Sequence, residues 1–294
     1  MELRQDYKAI EAHYESRRTP DRIIAHYELE RSIADELRTS SKDQRDAGLY
    51  QSAYDRLLNG LPDHPRKVLH SGDRAARMGA YVERQSKMLI RELSKDDIFV
   101  DMGGGDCRLA LLVAPHVAQS IVVEVSDALL PDNVPVNFKF VKTAGVQIPL
   151  EDASVSFVYS NQLMEHLHPD DAAAQMREIF RVLKPGGLYL CRTPSRFSGP
   201  HDVSMFFSSV AQGMHLKEYS YKELRALMRD NGFTRTRIWI APRAYRAFVL
   251  PQFAGELIES VFALVPSSLH TRVCRSKVAR ALLGITMMAD KPKA

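Results

Sequence analysis

Between Ile98 and Asp106 an apolar run, Ile98-Phe99-Val100-Asp101-Met102, passes straight into Gly103-Gly104-Gly105-Asp106. A strand that runs into three glycines must turn sharply. Glycine permits positive φ there and lets a ligand approach the backbone with no Cβ in the way. The segment that follows, Arg108–Ala114, is compatible with a helix, whose first N–H groups lack intrahelical partners. Strand, glycine turn and helix together are the opening unit of a ligand-binding α/β domain. A second acidic residue, Glu124, ends the next apolar run about 20 residues later, where a ribose hydroxyl pair needs a carboxylate acceptor.

The alternation continues down the chain. Short apolar runs at Ser120–Val125, Phe138–Lys142, Val155–Ser160 and Leu188–Arg192 predict buried strands, and an amphipathic segment such as Ala172–Val182 predicts a helix between them. Alternating strand and helix requires crossover connections, hence a mostly parallel sheet with helices on both faces. A further strand is expected at Thr234–Ile240 and a last one at Gly284–Met288. Residues 1 to about 93 read as helical, with a helix start at Thr19-Pro20-Asp21. The breaker Gly60-Leu61-Pro62-Asp63-His64-Pro65 separates a helical extension, residues 1–70, from the domain at 71–294. A stretch at about 242–283 reads as an apolar helical insert before the last strand.

Composition narrows the class. The chain has 294 residues, 45% hydrophobic and 26% charged, with a formal net charge of +4, ordinary for a globular protein. Its basic residues are spread along the chain rather than gathered in a stripe, so no nucleic-acid partner is expected. Cys107, Cys191 and Cys274 form no CxxC pair, which argues against a disulfide framework or zinc knuckle and fits a reducing compartment. The amino terminus lacks the apolar core of a signal peptide and no run approaches the length of a membrane span. The expectation is a cytoplasmic protein. No pattern specifies an oligomer.

Several motifs recur here in the order found in one family. Asp101-Met102-Gly103-Gly104-Gly105 resembles the acidic-x-Gly-x-Gly loop of the class I S-adenosylmethionine-dependent methyltransferases, in particular the small-molecule branch of the methyltransferase type 11 kind. Glu124 resembles that family's ribose-binding acid. Ile148-Pro149-Leu150-Glu151-Asp152-Ala153-Ser154-Val155-Ser156 resembles its stretch before the fourth strand, Glu165-His166-Leu167 the motif after it, and Arg181-Val182-Leu183-Lys184-Pro185-Gly186-Gly187 the turn before the fifth. The likeness runs from about Asp97 to Phe233.

The resemblance implies a Rossmann-like, seven-stranded, mostly parallel sheet with an antiparallel last strand, and helical additions that cover the substrate. It implies S-adenosylmethionine as cofactor, with Asp101, Gly103, Gly104, Gly105, Glu124 and Val125 at the donor, and Asn161 near its methionine part. The chain departs from the family at three points. Cys107 stands at the third loop glycine, Thr143 or Ala144 at the usual adenine-binding aspartate, and Ser156 at an aspartate. A backbone amide near Ala144-Gly145 is the expected substitute for the adenine contact. A dinucleotide site wants a third glycine where Arg108 stands, and Asp106 would repel a pyrophosphate. The donor has no phosphate and tolerates the acidic loop.

The function implied is methyl transfer to a small or medium-sized metabolite, most naturally at a hydroxyl. The alternatives are a non-catalytic interaction protein on the same fold and a nicotinamide-dependent oxidoreductase; a methyltransferase acting on RNA or protein would require a concentrated basic stripe. A hydroxyl acceptor needs a base. His201, in the loop after the fifth strand with Asp202 beside it to orient the ring, His166 and His215 are the candidates; each has a purely structural reading too. His168-Pro169-Asp170-Asp171 reads as a solvated helix start. No His/Asp/Glu spacing marks a metal site. The apolar residues Phe248, Leu250, Phe253, Leu257, Ile258, Val261, Phe262 and Leu264 either line an acceptor pocket or pack against the sheet or a second subunit. Arg272, Arg275, Lys277 and Arg280 read as a solvated basic face rather than a membrane contact.

Overall fold

A computed structural model of the chain describes residues 2–8, 10, 18–61, 72–240, 248–266, 269, 273–274 and 276–293. Residues 62–65 of the expected breaker, 242–247 of the insert, and Arg272 and Arg275 lie outside the described residues.

Eight strands form one sheet: β1 (Ile98–Met102), β2 (Gln119–Glu124), β3 (Phe138–Lys142), β4 (Val155–Asn161), β5 (Leu183–Thr193), β6 (Thr234–Ile240), β7 (Phe248–Pro251) and β8 (Ile285–Asp290). Their order is β3-β2-β1-β4-β5-β8-β6-β7. The pairs β3–β2, β2–β1, β1–β4 and β4–β5 are parallel. β8 lies antiparallel between β5 and β6, as the family resemblance implies. Among the described residues the sheet has eight strands, not the seven expected. The additional one, β7, lies inside the stretch read as wholly helical and pairs antiparallel with β6 at the sheet edge. Its sequence Phe-Val-Leu-Pro suits an edge, where proline's missing N–H costs no ladder bond.

Helices cover both faces. Alternate residues of β1 point opposite ways. Val100 and Met102 join a core shared with α1 (Pro20–Thr39), α2 (Tyr50–Gly60), α5 (Pro169–Val182) and α6 (Tyr221–Asp230). Phe99 joins a smaller core under α3 (Gly72–Leu89) and α4 (Arg108–Val113). In α5, Ala172, Met176, Ile179 and Val182 are buried at helical spacing, each large one contributing roughly 1.5–3 kcal/mol. Two further helices are α7 (Gln252–Ala263) and α8 (Lys277–Leu283). No helix among the described residues is long and apolar enough to cross a membrane.

Two of the recurring motifs turn out to be one structural staple. The Arg181 guanidinium donates to the carbonyls of Ile148 (2.7 Å) and Leu150 (2.9 Å), to Asp152 (2.6 Å) and to Glu178. Glu178 in turn accepts from the Ile148 N–H at 2.9 Å. The Arg181 turn and the Ile148–Asp152 segment therefore recur together because one holds the other against the sheet.

Candidate functional site

The crevice outside the carboxyl ends of β1–β4 holds a cavity of about 480 Å³, where ligands bind in open α/β sheets. Its floor is the glycine turn. Gly103 and Gly105 both have positive φ and both line the cavity. A Cβ on Gly105 would meet nothing within 4 Å, so that face is open to a ligand, whereas one on Gly103 would press on Leu163 at 3.1 Å. Gly104 is not a lining residue. Its Cα sits against Val122 and the Asp101 carboxylate, which a Cβ would approach to 3.1 Å. Asp101 itself is buried beneath the turn and outside the lining. Burial, and then the charges of Glu124 and Asp106, push its pKa well above the carboxylate range.

Glu124 fastens the turn to β2. It accepts from the Gly105 N–H at 3.0 Å and the Val125 N–H at 2.8 Å, and both Glu124 and Val125 line the cavity. Cys107, where the family has glycine, keeps the glycine-like conformation with φ 63° and is fully buried. Arg108 and Asp106 pair with each other at 2.8 Å. On the far wall Thr143 and Gly145 line the cavity while Ala144 does not. Asn161 ends β4 as expected but is also outside the lining, which takes Gln162 and Leu163 instead.

The expected role of the amino-terminal helices is only a general covering one. In the structure Tyr50, Tyr54, Asp55, Leu58 and Asn59 close the cavity from α2. They are held there by a buried ion pair. Arg45, in a π-helical turn at Arg45–Leu49, donates to Asp171 at 2.5 and 3.3 Å, and the Tyr50 hydroxyl donates to the same carboxylate at 2.7 Å. His168 caps α5, and Pro169 and Asp170 are exposed as a solvated helix start requires, but Asp171 is buried against Arg45. No local pattern announces such a pair, whose members are 126 positions apart.

The three candidate bases separate. His166 lines the cavity, and its Nδ1 lies 2.9 Å from the Met214 carbonyl. That contact makes Nδ1 the protonated nitrogen and Nε2 the basic one. His215 sits behind it, with ring centroids 5.0 Å apart, and is outside the lining. Burial opposes a charge on His215, yet its hydrogen bond to Glu218 at 2.8 Å and the nearby Glu165 and Asp202 raise its pKa to about 9. His201 is also outside the cavity; its ring meets Ser198, and burial lowers its pKa to about 4. The expected Asp202–His201 pairing is corrected. The Asp202 carboxylate accepts from the backbone N–H groups of Ser204, Gly213 and His215, because it caps the helical turn Val203–Phe206.

The expectation of no His/carboxylate cluster is corrected as well. Glu165, His166 and His215 bring ligand-type atoms within 4.8 Å of one another. These residues come from segments about fifty positions apart, which is why spacing missed them. Burial pushes the Glu165 carboxyl toward its protonated form and Glu218 matches the His215 charge, so the cluster is balanced within the protein. The apolar stripe of the insert does not line the cavity over the glycine turn, and part of it packs on the core. Phe253, Leu257, Val261 and Leu264 are exposed on α7, away from the cavity, while Leu250 and Ile258 pack on the core.

Residues 100–191 match the family described as the methyltransferase domain. Over 89 residues the chain is 39% identical to a protein of Mycolicibacterium smegmatis named as a probable S-adenosylmethionine-dependent methyltransferase, and 38% identical to one so named in Mycobacterium tuberculosis. The matched segment is 30% of this chain and about a third of each relative, 32% and 30%. Among solved structures, the chain superposes on a methyltransferase in complex with the Haloferax volcanii Trm112 methyltransferase activator, with a TM-score of 0.54 and 17% identity over 76% of this chain and 96% of that one. It also superposes on Burkholderia thailandensis 1,6-didemethyltoxoflavin-N1-methyltransferase, with a TM-score of 0.50 and 15% identity over 86% and 92%. Those two likenesses establish the fold.

Proposed function

We propose, from the premise that residues 100–191 form a class I S-adenosylmethionine-dependent methyltransferase domain, that this chain is an enzyme moving a methyl group from S-adenosylmethionine to a hydroxyl of a small or medium-sized metabolite. One observation carries the reading. Among the described residues the cavity over the glycine turn is lined by two carboxylates, Asp55 and Glu124, and by no lysine or arginine. Such a lining suits a cationic ligand without phosphate and disfavours a nicotinamide dinucleotide, whose pyrophosphate needs positive or N–H partners.

When bound, S-adenosylmethionine supplies an electrophilic methyl on a sulfonium, and the sulfur keeps the electron pair of the broken S–C bond. Glu124 is the acceptor for the ribose hydroxyls, and the backbone at Thr143–Gly145 serves the adenine edge in place of the absent aspartate. Gly103 and Gly105 let the donor approach the chain closely. The helix α2 covers the cavity with Tyr50 and Tyr54 and excludes water. His166 Nε2 takes the proton of the acceptor hydroxyl as the new O–C bond forms, while its Nδ1–H bond to Met214 fixes the ring.

Calorimetric titration with S-adenosylmethionine and its demethylated product tests the donor site. Micromolar binding is expected, weakened at least tenfold by Glu124→Ala, a loss of about 1.4 kcal/mol. A folded sample that binds neither form overturns the reading. With a hydroxyl acceptor, His166→Ala should lower kcat by roughly 10²–10⁴-fold while donor affinity changes little. Unchanged turnover would remove His166 from the role of base.

A further inference from the structure

A second cavity, also about 480 Å³, lies on the opposite face of the same sheet edge, between β4, β5 and β8 below and α3 and α8 above. Tyr159 of β4 lines it, three positions before the Gln162 that lines the first cavity. The end of β4 is thus the wall between them. Their charges are opposite. The lining of the second cavity includes the guanidinium groups of Arg84, Arg192 and Arg280 and, among the described residues, no carboxylate.

The other polar groups reinforce this bias. Gln85 is buried, and the Tyr159 hydroxyl donates to its Oε1 at 3.2 Å. That bond fixes the amide so that Nε2, a donor, is left buried with no hydrogen-bond partner. A buried amide N–H left unpaired costs roughly 1–3 kcal/mol, and an acceptor arriving in the cavity would relieve it. Arg192 lies over the Tyr81 ring, 5.3 Å from its centroid, an arrangement that holds the guanidinium while leaving its N–H fork to a ligand. Neither Arg84 nor Arg192 forms an ion pair with a carboxylate among the described residues. The site therefore combines positive charge, spare donors and aromatic walls from Tyr81 and Trp239.

We infer that this cavity seats an anionic group, a carboxylate or phosphate, on an aromatic or otherwise planar small molecule distinct from the methyl donor. Arg192 and Arg84 grip the anion and Gln85 Nε2 adds a hydrogen bond, so these are specificity residues rather than participants in methyl transfer. The anion seat rests on this cavity alone and stands whether or not the first cavity holds the donor.

The test is calorimetry on the full chain saturated with S-adenosylhomocysteine, using benzoate, phenyl phosphate and the uncharged benzamide as probes at up to millimolar concentration. Saturable binding of at least one anion, and none of benzamide, is expected. Arg84→Met and Arg192→Met should each weaken the anion at least tenfold while leaving S-adenosylhomocysteine affinity within about twofold. Arg192→Lys, which keeps the charge but loses the fork, should fall between. Circular dichroism confirms that each variant is folded, and Arg84 is exposed enough to change without disturbing a core.

Benzamide binding as tightly as benzoate overturns the inference, as does absence of saturable anion binding, or anion binding indifferent to both arginines. A loss of S-adenosylhomocysteine affinity in the arginine variants overturns it differently, by assigning these residues to the donor's own carboxylate. Anion binding by a chain that takes no S-adenosylhomocysteine would sink the donor reading and leave the anion seat standing.

Discussion

Cys107 occupies the left-handed region with φ 63° and a fully buried thiol. A non-glycine residue there costs roughly 1–2 kcal/mol, offset in part by what the thiol buries against Phe99 and Leu109 in the smaller core. Cys107→Gly should therefore stay within about 1 kcal/mol of the parent in urea unfolding. Cys107→Val, β-branched and larger, should lose about 2 kcal/mol or more. Equal losses in the two would show that packing, not backbone, decides the position. His215 makes a prediction of the opposite kind. Its folded pKa, about 9, lies above the ordinary histidine value near 6.5. The stabilisation it supplies is complete below about pH 6.5 and is lost as pH rises through about 9. His215→Asn should be less stable at pH 6 and show a flatter alkaline decline than the parent; an unchanged slope would mean that the Glu218 pairing does not hold the proton.

At the scale of elements, the tie between the amino-terminal helices and the sheet is concentrated in Arg45, Tyr50 and Asp171. The pair is 2% and 1% exposed. Removing one member leaves the other charged and uncompensated, at a cost of roughly 3–5 kcal/mol. Asp171→Ala should fall in that range and loosen α2, seen as faster amide exchange over Tyr50–Gly60. Because a buried pair repays its desolvation poorly, the double variant Arg45→Met/Asp171→Leu should recover much of the loss. Failure to recover would assign the effect to the Tyr50 and His168 contacts rather than to charge. The Arg181 staple works on the same principle but at the surface. Its carbonyl partners belong to the Ile148–Asp152 segment, so the arginine can act as a staple only with that segment in place.

Across the whole molecule, the cavity over the glycine turn draws its walls chiefly from the sheet edge and from α2. A ligand there binds only when both are folded against each other. At one hundred times its Kd, S-adenosylhomocysteine should raise the free energy of unfolding by about 2.7 kcal/mol. The added protection should appear in β1, β2 and α2 together; protection of the sheet alone would mean that the amino-terminal helices open independently of the ligand. The exposed apolar face of α7 takes no part in this closure.

How much of this was legible follows from how far each signal reaches along the chain. Strand and helix periods are local, so the positions of β1 to β6, the antiparallel last strand and the start of α5 could be read directly or through the resemblance. The glycine turn and Glu124 are local too, since a backbone that must take positive φ needs glycine and a strand end exposes its last side chain. β7 was missed because four apolar residues carry no period of their own and took the character of the helix beside them.

The sequence by itself determined the parallel core of the sheet, the glycine turn after β1 and the acidic residue that ends β2, because a strand period and a positive-φ turn dictate residue types locally. Only the tertiary structure decided what those residues meet. It moved Asp202 from His201 to a helical turn, set His166 rather than His201 at the cavity, and paired Arg45 with Asp171. It also gathered Arg84, Arg192 and Arg280 around one space. These arrangements join segments tens to hundreds of positions apart. A charge or hydrogen bond acts over a few ångströms of space, and no pattern along the chain records which distant segments folding will bring that close.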